Sequence, residues 1–235
     1  MNSARRRVTV QVAVAAAVAA LIASATVALA AGTTVTSGSL TAQKSSFTIA
    51  PQTFTKTVTL SSTTGGADAS PDQDNPTTTS GAATSITVRS RNGNKNGRGL
   101  VQFALADFSL PAGATVSAAT LTMRATTGPA SNRTYSLDRV ATSWIESSVT
   151  WNTQPGVVAA TTVSTSVTSA SCTSGCNVSW TVTNDVAAWV AGGTNAGWRI
   201  KDQTEDFPGG VSIVFGSSEN GTASNRPTLS ITYTI

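Results

Sequence analysis

Between residues 67 and 235 apolar and hydroxyl side chains alternate with a period of two, again and again. Val101, Phe103 and Leu105 alternate with Gln102 and Ala104; Leu121, Met123 and Ala125 alternate with Thr120, Thr122 and Arg124. Val178, Trp180 and Val182 follow the same rule, as do Leu229, Ile231, Tyr233 and Ile235. One apolar face and one hydroxyl face describe antiparallel strands that cover a shared core and show their other side to water. Pro111 to Gly113, Gly128-Pro129 and Gly209-Gly210 punctuate the runs as turns. About eight strands in a stretch of this length predict an all-β fold, an antiparallel jelly-roll β-sandwich.

One segment has a helical period instead. Asn184 is placed to cap a short helix with Val186, Trp189 and Val190 on one face, ended by Gly192-Gly193. That helix plugs an open end of the sandwich, so Trp189 belongs to the core. Upstream, residues 31–66 are rich in Thr and Ser, with Phe47 and Ile49, then Phe54, Val58 and Leu60, as short alternating stretches. They form either an extended linker or one or two strands added to the sheet edge; Pro51 argues against a central strand.

Residues 1–30 have the pattern of a secretory signal. Arg5, Arg6 and Arg7 precede an uncharged Ala/Val-rich stretch, and Ala28-Leu29-Ala30 supplies a small-x-small cleavage pattern before Ala31. The rival is a retained membrane anchor. Thr9, Gln11, Ser24, Thr26 and the dominance of weakly hydrophobic alanine favour cleavage. After cleavage no membrane segment is expected.

Composition narrows the chemistry. Charged residues are 11% of the chain, against roughly 25% in an ordinary soluble domain. Ser and Thr supply about 30% of it instead, a surface suited to pleated sheet. There is no histidine, which excludes imidazole bases, shuttles and metal ligands. The net charge of +4 misleads, because three of the arginines lie in the signal and the remainder carries +1. Such a neutral chain has no electrostatic basis for binding nucleic acid.

Cys172 and Cys176 flank Thr-Ser-Gly, each beside a run of strand character. In an exported chain they predict a disulfide stapling a tight hairpin, against a redox pair. The spacing is not C-x-x-C, and nothing nearby would activate a thiol.

Several motifs in order carry a family resemblance across residues 67–235. They are Gly97-Arg-Gly-Leu-Val-Gln-Phe103, LPAGATVSAATLTM (110–123), RVATSWIESSVTWNTQP (139–155), WTVTNDVAAWVAGG (180–193), GWRIKD (197–202) and FGSSENGTASNRPTLSITYT (215–234). The segment resembles the DNRLRE domain, related to disaggregatase-type repeats and to a carbohydrate-binding module family of secreted bacterial proteins. Two positions depart: Thr181 stands where the family often has aspartate, and Thr79-Ser80-Gly81 replaces an Asn-Tyr-Gly turn. The resemblance implies a jelly-roll sandwich with an accessory role beside enzymes that act on polysaccharides.

The expected function is therefore a secreted, non-catalytic module that binds a polysaccharide or cell-envelope glycan. The alternative is a structural surface or matrix protein acting through protein contacts. For glycan binding, Trp198 is the indole singled out for exposure, since it opens a strand beside Arg199 and Lys201. Arg89, Arg91 and Arg98, with Asn94 and Lys95, line a glycine-rich hairpin that could read an acidic glycan. Trp144 and Trp151 are expected to pack and fix their loop. Asp68, Asp72 and Asp74, with oxygens from the 202–206 loop, are the candidate ligands of a structural calcium. Asp202, Glu205 and Asp206 are read as a solvated acidic loop, Glu146 as ordering the turn before Trp151, and Glu219 as pairing with Arg226.

Overall fold

A computed structural model of the chain describes residues 50–158 and 162–235. The signal segment and residues 31–49 lie outside the described residues. Alternation is realised as strands β1 (Thr53–Thr59), β2 (Ala67–Ala69), β3 (Ser85–Ser90), β4 (Gly99–Gln102), β5 (Thr115–Thr127) and β6 (Arg133–Arg139). There follow β7 (Val163–Val167), β8 (Cys176–Thr181), helix α1 (Thr183–Val190), β9 (Trp198–Asp202), β10 (Val211–Gly216) and β11 (Thr228–Thr234). One sheet runs β1-β11-β5-β10-β3, with β8 also pairing β5; the other runs β2-β4-β9-β6-β7. Every strand pairing is antiparallel. The protein is an all-β sandwich with one short helix.

The inward faces meet in one core. Ile86, Val88, Leu121, Met123, Trp180, Ile213, Phe215, Leu229 and Ile231 of the first sheet pack in a single cluster with Val101, Tyr135, Leu137, Trp198 and Ile200 of the second. α1 adds Val186 and Trp189, and the Trp189 ring lies 4.6 Å from Trp198 and 5.2 Å from Phe108. A smaller cluster of Ala69, Leu100, Val140, Val149 and Ala196, flanked by Trp144, forms separately. Leu100 alternates away from the main core, and the 140–149 loop supplies the apolar cover it needs.

One open alternative is decided and three local expectations change. Residues 53–59 settle the linker question for their stretch: they form the edge strand β1, in register with β11 from Thr53–Thr234 to Thr59–Thr228. Leu105 does not continue β4, because Leu105–Phe108 is a 3-10 turn. α1 begins at Thr183, so Asn184 lies inside its first turn rather than capping it, and the Thr183 hydroxyl accepts from the Ala119 N–H at 3.0 Å. The Cys172–Cys176 disulfide is present, but it staples no hairpin. β7 pairs with β6 in one sheet and β8 with β5 in the other, so the bridge sits where the chain crosses between sheets. A corner and a hairpin carry the same alternation on both sides of a short turn, and only strand pairing separates them.

The closed loop is short, so the bridge removes little entropy from the unfolded chain. Cys172→Ser is expected to leave the fold intact and to cost at most about 3 kcal/mol by chemical denaturation; failure to fold would mean that the crossover depends on it.

Candidate functional site

The residues singled out in the sequence separate into two groups. Trp198 is not exposed: it is 0% accessible, and its Nε1 donates to Asp185 Oδ2 at 2.8 Å. On β9 it shares a parity with Ile200, and that parity faces the core. The polar neighbours Arg199 and Lys201 suggested a wet strand, but they occupy the opposite face. Trp180 and Trp189 are buried, as expected. Trp144 donates to the Ala196 carbonyl at 3.0 Å, and Trp151 lies under the Arg98 guanidinium, 4.4 Å from its centre. Among the described residues Trp180, Trp189 and Trp198 are buried, and Trp144 and Trp151 are half-buried against these partners.

The basic residues are similarly engaged. Arg98 forms a two-pronged pair with Glu205 at 2.7 and 2.8 Å, and Lys201 lies 3.7 Å from the same carboxylate. Arg199 pairs with Asp138 at 2.8 Å. The 202–206 loop is therefore a solvated acidic run only in part: Asp206 is exposed, but Asp202 and Glu205 are not. Asp202 is buried against Arg133 at 2.6 Å, and Asp206 accepts from Asn96 at 3.0 Å. Burial alone would raise the Glu205 carboxyl, yet the Arg98 hydrogen bonds and the charges of Arg98, Lys201 and Arg199 hold it below the usual carboxylate range. Asp202 and Glu205 are thus engaged by arginines and Asp206 by an amide, and none of the three joins the Asp68 cluster described below.

Two features remain. The first is a groove of about 420 Å³ between the 70–80 loop and the outer face of β3. Ser70, Asp72, Asn75, Thr78 and Ser80 form one wall, and Ser85, Thr87 and Arg89 form the other, with Ala83 and Gly97 completing it. The Ser70 hydroxyl ties the walls together, donating to the Thr87 carbonyl and accepting from the Thr87 N–H, both at 2.9 Å. Arg89 pairs with Asp72 at 2.5 Å. A second hollow, walled by Arg89, Arg91, Gly128 and Gly210 among others, continues beyond Arg89. Arg89 and Arg91 thus do line a surface hollow, whereas Arg98, Arg199 and Lys201 belong to a different, paired network.

The second feature is a carboxylate cluster. The three proposed calcium ligands do not converge: Asp72 and Asp74 pair with Arg89 and Lys95. Asp68 instead meets Glu146 and Glu219, one oxygen of each lying within 4.8 Å of the others. Glu146 accepts from the Asp68 N–H at 2.8 Å, and Asp68 accepts from the Ser218 N–H at 2.7 Å. Glu219 accepts from the Ser218 hydroxyl, and Arg226 donates to the Asn220 carbonyl at 2.8 Å rather than pairing with Glu219. Burial pushes the Asp68 carboxyl up to about 7, against the lowering effect of the Ser218 hydrogen bonds, and Glu219 and Glu146 add repulsion. Burial also raises Glu146. Three carboxylates facing one another could hold a calcium ion, which takes six to eight oxygens and would draw the rest from carbonyls and water. Glu146 and Glu219 were not legible as partners of Asp68, because strand β2 and the two loops that supply them lie up to 151 positions apart.

The two features share a wall. Ser80 and Ala83 line the groove on one side and a hollow beside Glu146 and Glu219 on the other. Gly81 makes this possible, since a Cβ there would collide with the Glu146 side chain and carbonyl.

The β-sandwich thus carries a surface groove of hydroxyls, an amide and an ion pair. The chain belongs to carbohydrate-binding module family 96, whose model matches residues 59–233. The match begins within β1 and ends within β11, so it takes in both sheets. No curated protein matches the chain.

Proposed function

We propose that this protein is a secreted, non-catalytic module that binds a polysaccharide or cell-envelope glycan in the groove between the 70–80 loop and β3. The groove's lining is the observation that carries the reading: eight of its ten residues offer hydroxyl, amide, carboxylate or guanidinium groups, and none is aromatic. Such a site holds a sugar by its hydroxyls rather than by stacking. Family membership supports carbohydrate as the ligand class, and the motif series resembling the DNRLRE domain supports an accessory role beside polysaccharide-acting enzymes. The non-catalytic reading is supported by the fate of the acidic loop, whose three carboxylates are bound to Arg133, Arg98 and Asn96. Export rests on the signal pattern of residues 1–30.

The test is retention of the chain expressed from residue 31 on a broad polysaccharide panel, with and without a calcium chelator. Retention on one class supports the module. Chelator sensitivity would connect the carboxylate cluster to the groove through their shared wall. Retention on none, together with self-association in light scattering, would favour the structural-protein alternative. One observation supports that alternative: Phe54, 44% exposed, stacks on Tyr233 at 5.6 Å where β1 forms the edge of its sheet. Lys56 at the centre of β1 acts against edge pairing between copies, because an antiparallel partner would set two lysines opposite each other.

A further inference from the structure

Asparagine followed by glycine is chemically labile, because a residue without Cβ leaves its backbone nitrogen open to attack the preceding side-chain amide. The chain contains three such pairs, Asn92-Gly93, Asn96-Gly97 and Asn220-Gly221. The fold treats them differently. Asn96 is 3% accessible. Its Nδ2 donates to Gln73 at 2.8 Å and to Asp206 at 3.0 Å, its Oδ1 accepts from the Asp206 N–H, and the Gly97 N–H is committed to the Arg89 carbonyl at 2.9 Å. Asn220 is half-buried, with Nδ2 donating to the Thr84 carbonyl and Oδ1 accepting from the Thr222 N–H, both at 3.0 Å. Asn92 has no such ties. It is exposed, and neither its side-chain amide nor the Gly93 N–H has a hydrogen-bond partner among the described residues.

The surrounding loop is closed below its tip. The Lys95 N–H donates to the Arg91 carbonyl at 3.3 Å, and the Asn92 N–H to the Phe207 carbonyl at 3.2 Å. Gly93 and Asn94 form the tip, both in the left-handed region at φ 74° and 58°. A Cβ on Gly93 would meet nothing within 4 Å, so the tip stands in open space. The peptide between Asn92 and Gly93 can therefore rotate toward the side chain without breaking a backbone hydrogen bond.

We infer that Asn92 is a site of spontaneous deamidation and that the fold spares the other two pairs. The Gly93 nitrogen attacks Cγ of Asn92: the N–Cγ bond forms, the Cγ–Nδ2 bond breaks, and ammonia leaves with the proton of the Gly93 N–H. Water then opens the cyclic imide at either carbonyl, giving aspartate or isoaspartate with no change of oxidation state. The product carries a new negative charge next to Arg91, an exposed cation in no ion pair among the described residues. Isoaspartate also lengthens the backbone by one atom. The change falls between Arg89 and Gly97, which line the groove, and beside Arg91, which lines the hollow beyond it.

Incubation of the purified chain at neutral pH, followed by peptide mapping with mass spectrometry, reads each pair separately. Asn92 is expected to convert at least about tenfold faster than Asn96 or Asn220, the factor that their tethering hydrogen bonds impose. Isoaspartate should be among its products. In denaturant the protection is gone, and the three rates should approach one another. Asn92→Gln should remove the fast conversion with an unchanged denaturation curve, and Gly93→Ala should slow it by placing a Cβ beside the attacking nitrogen. Asn96 or Asn220 converting as fast as Asn92 in the folded protein would overturn the inference. So would an Asn92 that loses its amide only in denaturant, or a spread of rates that persists there, which would assign the difference to neighbouring sequence instead of the fold.

Discussion

Trp198→Ala is expected to destabilise the protein by about 3–5 kcal/mol, as for other large aromatics removed from a packed core. The ring lies 4.6 Å from Trp189 and 6.4 Å from Phe103, so its loss opens a cavity where α1 meets β9. The same substitution removes the indole N–H that Asp185 accepts at 2.8 Å, leaving that buried carboxylate with Arg139 at 3.5 Å. A domain of this size is stable by only about 5–15 kcal/mol, so the variant should unfold well below the parent's denaturant midpoint. Trp198→Phe keeps most of the ring and loses the donor, and should cost roughly 1–3 kcal/mol. Equilibrium denaturation of both variants checks the order. A Trp198→Ala protein as stable as the parent but unable to bind glycan would return this indole to the ligand.

In the absence of divalent ions, stability is expected to fall as the pH rises from 4 to 7, contrary to the usual behaviour of a paired carboxylate. Asp68 is the cause. Its carboxyl is moved from 3.8 to about 7 by burial, so between those values the folded chain holds a proton that the unfolded chain has released. The stabilising contribution is complete below the unfolded value and is lost as the pH rises through the folded one. Three pH units correspond to about 4 kcal/mol, an order-of-magnitude figure. Glu146, also raised, acts in the same direction. Glu205, held low by Arg98, acts oppositely but only below its ordinary carboxylate value, which leaves the range from pH 5 to 8 to Asp68 and Glu146.

Denaturation in chelator across that range should therefore show a declining midpoint, flattened in Asp68→Asn. Calcium should restore stability at pH 8 and have less effect at pH 5, where a proton occupies Asp68. A flat profile in the parent chain would mean that the charge of Asp68 is compensated by something other than a metal ion.

How much of this was legible beforehand depended on the distance over which each residue's role is decided. The strands at 121–125, 178–182 and 229–231 were readable because alternation is local: it needs only neighbours along the chain and a core on one side. The disulfide was readable as a bond and misread as a hairpin, because its surroundings depend on which sheet each flanking strand joins. Trp198 was misplaced because Arg199 and Lys201 beside it are polar, although neighbours in a strand point to opposite faces. The acidic loop was misjudged at Asp202 and Glu205 for a related reason. Arg133 and Arg98, which bury Asp202 and half-bury Glu205, lie 69 and 107 positions away.

The sequence by itself determined the fold class, the core-facing parity of most strands, the plug helix with Trp189 in the core, and the absence of imidazole chemistry. Each follows from composition or from the period of the chain. Only the tertiary structure decided the sites. It paired Arg89 with Asp72, drew Asp68, Glu146 and Glu219 together, and laid the groove against that cluster across one shared wall. Charges and hydroxyls have no period to announce them, and their partners are chosen by the loops that the folded sheets bring to one place.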